Sequence, residues 1–173
     1  MTQEEKQPSL DALRATQTQV VSLLGGLTGE QWSFRPAADQ WSVAEIAEHI
    51  VLVEKRVMGA LAPSEGGTSP KRDSTVTRVV PDRRTRVVAP APVSPTGRFA
   101  TPTEWREAFE QVRAHTIDWL QNTPDPRAFA LNHFVFGLLD GYQWTLFASA
   151  HLERHLHQLR EVMQNSNFPP LTD

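Results

Sequence analysis

Three of the six histidines fall where they could share one divalent ion. His151 and His155 are four residues apart, which on an α-helix places them ~40° apart around the axis and ~6 Å along it. Both lie on an apolar seam, between Trp144/Ala148 and Leu159. His49 sits on a similar seam among Ile46, Ile50 and Val53. Three imidazoles would then face one interior, where unpaired polar groups are costly, and a metal ion would satisfy them together. Hydrogen bonding inside an ordinary core is the plainer account of any one of them, because clustered ionisable groups point to function only statistically. The other histidines are placed less well. His115 falls off the apolar stripe of its helix, and His157, two residues from His155, faces away. His133 lies in a loop just before Phe134–Leu139, within reach of the site as a candidate outer-sphere partner.

Three neutral imidazoles leave an ion its full charge and an open position, the pattern of catalytic rather than structural sites. Such an ion lowers the pKa of a coordinated water towards ~7. A thiol in place of that water would bind as thiolate. The ligand set suits zinc or nickel better than ferrous iron. Glu45, one turn before His49, is a candidate acceptor for that imidazole's outer nitrogen, although it is also the glutamate of a helix-capping box. Glu48 and Glu153 neighbour the histidines but point off the seams and are expected at the surface. Tyr142, the single tyrosine, is a candidate for the rim. No general acid, base or nucleophile can be assigned from the sequence.

Four helices must carry these groups. The first is expected from about Leu10 to Leu27, with Ser9 as its N-cap and Leu10, Leu13, Val20, Leu24 and Leu27 on one seam. The second opens on Ser42 and Glu45, a capping box flanked by Trp41 and Ile46. The third opens on Thr101-Pro102 with Glu104, and buries Trp105, Ala108, Phe109, Val112, Thr116 and Trp119. The fourth opens near Asp140 with Gln143 and runs until Asn165–Pro170. The short link Thr28–Trp41 suits antiparallel neighbours. The long one, from residue 62 to 102, shows no helical period, and a bundle with one long crossover between parallel helices accommodates it. Within it, Arg78–Val80 and Arg86–Val88 read as short extended pieces, and Ala89–Pro95 as polyproline-like. The expected architecture is an all-α four-helix bundle, one domain over residues 1–173 with a proline-rich basic crossover at 62–102.

Bulk composition narrows the classes further. The crossover holds seven of the thirteen prolines and seven basic against three acidic residues, in a chain whose net charge is −3. That overall balance argues against a general nucleic-acid binder. There is no cysteine, so disulfides and thiolate chemistry from the chain are excluded. No apolar run approaches the ~20 residues that span a bilayer, and the polar N-terminus is not a signal peptide, so a cytoplasmic location is expected. The crossover arginines are candidates for an anionic substrate or thiol cofactor, with a solvated basic loop as the alternative. Trp/Phe-rich surfaces on the third and fourth helices would allow a homodimer.

The segment Arg35–His49 with its Trp41-Ser42, the segment Asn132-His-Phe-Val-Phe-Gly137, and Ala150-His-Leu-Glu-Arg-His155 followed by Gln158 resemble the DinB-like superfamily. That superfamily includes YfiT-like metal-dependent hydrolases and thiol-dependent S-transferases. The resemblance implies that His49, His151 and His155 are the metal ligands, and that the bundle carries a DinB/YfiT-like crossover. It implies a metal-dependent thiol S-transferase or hydrolase acting on a small molecule, with a low-molecular-weight thiol as an optional co-substrate. The alternative is a non-catalytic bundle whose metal pins two helices together. One departure bears on His133: relatives often read His-Pro there, whereas here Phe134 follows.

Overall fold

The computed structural model describes residues 1–65, 68–84 and 87–170. In chain order, α1 spans Gln3–Leu24, α2 Gly29–Ser33, α3 Val43–Ala60, β1 Ala62–Pro63, α4 Arg72–Val79, α5 Pro102–Asn122, β2 Phe129–His133, β3 Gly137–Asp140 and α6 Gly141–Met163. The four long helices α1, α3, α5 and α6 form the bundle. Each packs on two others: α1 and α3 both lie against α5 and α6. Cross-helix hydrogen bonds fix the directions. Trp105 donates to the Ala47 carbonyl while Arg113 and Thr116 donate to Glu54, so α3 and α5 run parallel. Ser9 meets Thr145 and Gln19 meets Arg160, so α1 and α6 are parallel too. The crossover therefore does join two parallel neighbours. The expectation for the short link is corrected: α1 and α3 run antiparallel but sit on a diagonal of the bundle.

Helix starts follow their caps. Ser42 and Asp140 form complete capping boxes with Glu45 and Gln143. Thr101 accepts from the Glu104 amide, but the Glu104 carboxylate turns to the Ala100 amide instead of closing the box. The first helix begins earlier than expected. Thr2 is its cap, closed by Glu5, and Pro8 lies inside it. Ser9 is instead fully buried on Thr145, 2.9 Å away. The extra turn brings Lys6 into the interior, where its ammonium donates to the Gln121 and Thr123 carbonyls at the end of α5. A cation on the last carbonyls of a helix complements its dipole.

Three expectations for the connecting segments change. Residues 72–79, read as irregular or extended, form α4, which packs on α6 and buries Val76 completely. Thr75, Val76, Thr77 and Val79 are poor helix formers and Lys71 gives no side-chain cap, so burial of Val76 overrides weak local preference. Val87 and Val88 are exposed without regular structure, and Arg86 lies outside the described residues. The polyproline-like stretch holds at Pro90 and Ser94 but tightens into one 3-10 turn at Ala91–Val93. The segment before α6 is a β-hairpin, β2 against β3, extended by β1 into a small antiparallel sheet. His133 ends a strand of it.

The interior contains a buried charge network centred on α5. Arg113, fully buried, makes a two-pronged ion pair with Glu54 at 2.8–2.9 Å and also donates to the Leu13 carbonyl and Thr16. It holds α1, α3 and α5 in register. Trp105, Phe109, Trp144 and Phe147 are all buried in the chain's own core, while Trp119 is half-buried. No helix among the described residues is long and apolar enough to cross a membrane.

Candidate metal centre

His49 on α3 meets His151 and His155 on α6, which runs antiparallel to it. Their ring centroids are 4.4–5.1 Å apart. One ligand nitrogen from each lies within 4.8 Å of the others. The Nε2 atoms of His151 and His155 are 3.1 Å apart. That is close to the ~3.3 Å edge of a tetrahedron built on metal–imidazole bonds of ~2.0–2.1 Å. His49 and His155 are each 5 % exposed, whereas His151 is only half-buried.

The outer nitrogens decide which lone pairs face inward. His49 Nδ1 is 2.7 Å from the Val93 carbonyl oxygen and His155 Nδ1 is 2.9 Å from Gln158 Oε1. Both oxygens can only accept, so both Nδ1 atoms carry the proton and both Nε2 atoms present a lone pair. Burial lowers the affinity of all three for a second proton. His155 is pushed down to about 3 by burial and by the neighbouring His49, and His151 falls well below its ordinary value for the same reasons. Burial lowers His49 too, against the Val93 carbonyl that raises it. Three imidazoles that burial disfavours from taking a second proton, two of them presenting an Nε2 lone pair, need lose no positive charge to bind an ion, and so these residues fit a divalent metal.

The crossover supports this site from outside. Glu48, expected at the surface, is 1 % exposed: its carboxylate accepts from the amides of Thr96, Gly97 and Arg98 at 2.7–3.0 Å. Gly97 adopts φ +82°, a conformation that disfavours any side chain. The loop so gripped begins just after Val93, the residue that orients His49. Trp41 lies on the other side of His49, ring to ring at 4.9 Å.

Glu45 does not serve His49. Its carboxylate is occupied by the Ser42 amide at 2.7 Å and by Arg35 at 2.6 Å, so it is a capping residue only. His133 comes near but stays outside the triad. It is separated from His151 by Phe147, which stacks on His151 at 5.3 Å and contacts His133 at 4.9 Å. Its Nδ1 accepts from the Val135 and Phe136 amides, and burial pushes its pKa down to about 4. His115, His157 and Glu153 are exposed, as expected. Tyr142 is not at a rim: it is 6 % exposed beneath the Arg127 guanidinium.

Sequence reasoning missed the Val93 carbonyl and the role of Glu48. Gln158 carried a signal, since it follows His155 by three residues on one helix face. His151 borders a small internal void of about 10 Å³ lined by Ile50, Val53, Trp144 and Phe147, with the paired Glu54 in its wall.

The DinB superfamily profile matches residues 12–159. The chain belongs to the DinB superfamily. Among its relatives, this DinB-superfamily chain is 26% identical to the uncharacterised protein YuaE of Bacillus subtilis (strain 168) over 145 residues, 82% of this chain and 88% of YuaE. Its fold matches YfiT from Bacillus subtilis with a TM-score of 0.65 at 10% identity, covering 98% of this chain and 91% of that one. YfiT is described as "a probable metal-dependent hydrolase with an unusual four-helix bundle topology". A DinB-family structure from Exiguobacterium sibiricum 255-15 matches with a TM-score of 0.53 at 19% identity, over 100% and 98% of the two chains. At these identities the two structures bear on the fold alone.

Proposed function

We propose that this DinB-superfamily protein is a metal-dependent enzyme acting on small molecules, with one divalent ion held by His49, His151 and His155. The observation that carries the proposal is the set of three imidazoles whose ligand nitrogens lie within 4.8 Å, two of them oriented by fixed outer hydrogen bonds. An all-imidazole set suits zinc or nickel. A divalent ion there supplies Lewis acidity, lowering the pKa of a water or thiol that it coordinates. The reaction class is transfer of a low-molecular-weight thiol to an electrophile, with the thiol proton and leaving group released, or hydrolysis.

The chain's own residues provide the rest. Val93 and Gln158 hold two rings in one tautomer and one orientation. Trp41 and the crossover pack against His49 and fix its ring. His151, the least buried of the three, marks the side from which a substrate approaches.

A non-catalytic ion that merely pins α3 to α6 is the competing reading. It would call for a fourth protein ligand, and among the described residues the cluster consists of three histidines alone. The test is turnover by metal-loaded protein of a chromogenic electrophile with a simple thiol, or of a chromogenic ester with water. Turnover that disappears in the stripped protein and in His49→Ala supports the proposal. Rates equal to the metal-free protein across both panels would contradict it.

A further inference from the structure

The three candidate ligands are not equally supported. His49 and His155 each bond an outer acceptor through Nδ1, the Val93 carbonyl and Gln158 Oε1. His151 turns its Nε2 to His155, and its Nδ1 bonds no protein group among the described residues. Among those residues no side-chain nitrogen or oxygen is both sealed from water and unbonded, so His151 Nδ1 lies where a water molecule can reach it. The internal void of about 10 Å³ beside His151 is such a place. That volume is at the lower limit for one water, which also needs at least two polar partners. The wall carries two polar side chains with bonding capacity left, His151 and Glu54, because the Trp144 N–H is occupied by the Leu131 carbonyl. Glu54 Oε1 is taken by Arg113 and Thr116, but Oε2 accepts only from Arg113 and keeps one acceptor position.

We infer that one water fills this void and links His151 Nδ1 to Glu54 Oε2, which makes Glu54 a positioning residue for the metal centre. The direction of the bridge follows from its ends. A carboxylate can only accept, so the water donates one proton to Oε2 and accepts from His151 Nδ1–H. That tautomer leaves the Nε2 lone pair to the ion, as in His49 and His155. The anion at the end of the bridge raises the basicity of the ligating nitrogen. It also brings in α5, which provides no ligand: Arg113 and Thr116 hold the Glu54 carboxylate in place. The inference takes its ligand set from the proposed function but none of its catalytic chemistry, and the water does not depend on a bound ion.

The test begins with a high-resolution crystal structure of the metal-free, full-length protein. One ordered water within about 3.2 Å of both His151 Nδ1 and Glu54 Oε2 is expected. A dry void, or a water that reaches only one of the two atoms, overturns the inference. Histidine nitrogen NMR shifts of the zinc-loaded protein read the tautomer: the proton is expected on His151 Nδ1, and a proton on its Nε2 contradicts the bridge. Neither reading depends on a variant's folding. Competition with a chromophoric chelator then separates positioning from stability. Glu54→Gln removes the charge and is expected to weaken zinc binding by about tenfold, whereas Thr116→Val, which removes a hydrogen bond to the same carboxylate but leaves its charge, should change it by less than about twofold. Urea unfolding should show a loss of stability in both. Unchanged zinc affinity in Glu54→Gln, or equal losses in the two variants, overturns the role of Glu54. A bridging water in a protein that binds no zinc would support the bridge and contradict the proposed function.

Discussion

The Nδ1 atom of His49 lies 2.7 Å from the carbonyl oxygen of Val93, forty-four residues further along the chain. Through that bond the crossover orients a candidate metal ligand, and Glu48, next to His49 on α3, clamps the same loop at residues 96–98. An ion held at His49 would therefore be coupled to the order of the crossover through adjacent residues of one helix.

Removing the Glu48 clamp tests this coupling. Glu48→Gln keeps the size of the side chain but loses the charge that three backbone amides share. Metal affinity is expected to fall by about tenfold, in the range for outer-sphere partners. Competition with a chromophoric chelator measures it. Hydrogen exchange at residues 96–98 should accelerate in the same variant while that of the α5 core stays slow.

Gly97 offers a purely conformational test of the same loop. A Cβ there would meet nothing within 4 Å, so the cost of Gly97→Ala comes from its φ of +82° alone. The expected loss is about 1–2 kcal/mol, read from urea unfolding of metal-free protein.

The buried pair Arg113–Glu54 should behave very differently from the surface pairs. Arg113→Met leaves a buried carboxylate without its counter-ion and is expected to destabilise by about 3–5 kcal/mol. Replacing both residues by methionine should cost clearly less than the sum of the two single changes. Arg106→Ala, which breaks an exposed pair on α5, should cost under about 1 kcal/mol.

Protonation of His133 sets a pH dependence. Its pKa falls from the ordinary ~6.5 of an unfolded histidine to about 4 when buried. Below pH ~6.5 the unfolded chain takes up a proton that the native state refuses, so stability falls as pH drops from there towards 4. Between pH 7 and 5 this contributes a loss of about 1–2 kcal/mol. His133→Asn, which retains an acceptor for the Val135 and Phe136 amides but cannot titrate, should lose that much less over the same interval in urea titrations.

The bundle was legible because its helices announce themselves locally. Ser42/Glu45, Asp140/Gln143 and the Thr101 cap each lie within four residues, and the apolar stripes repeat within one helix. The histidines followed from the same stripes, since a residue's face is fixed once its helix is. What was not legible is what depends on distant backbone. The Val93 carbonyl has no side-chain identity to read, and Glu48 is buried only because a loop about fifty residues away folds over it. The short helix at residues 72–79 exists through its packing on α6, against the preference of its β-branched residues. Lys6 and Arg113, polar residues on buried faces, were invisible for the opposite reason: their acceptors lie on other helices.

The most direct test of the histidine centre is metal content. Untagged protein and the single variants His49→Ala, His151→Ala and His155→Ala would be incubated with zinc, dialysed and analysed for bound metal, with far-UV circular dichroism as the folding control. The expected result is about one ion per chain in the unmodified protein and a loss in each variant with helicity retained. No bound ion in the unmodified protein, or a full ion in all three variants, would contradict the assignment of His49, His151 and His155 as a metal centre.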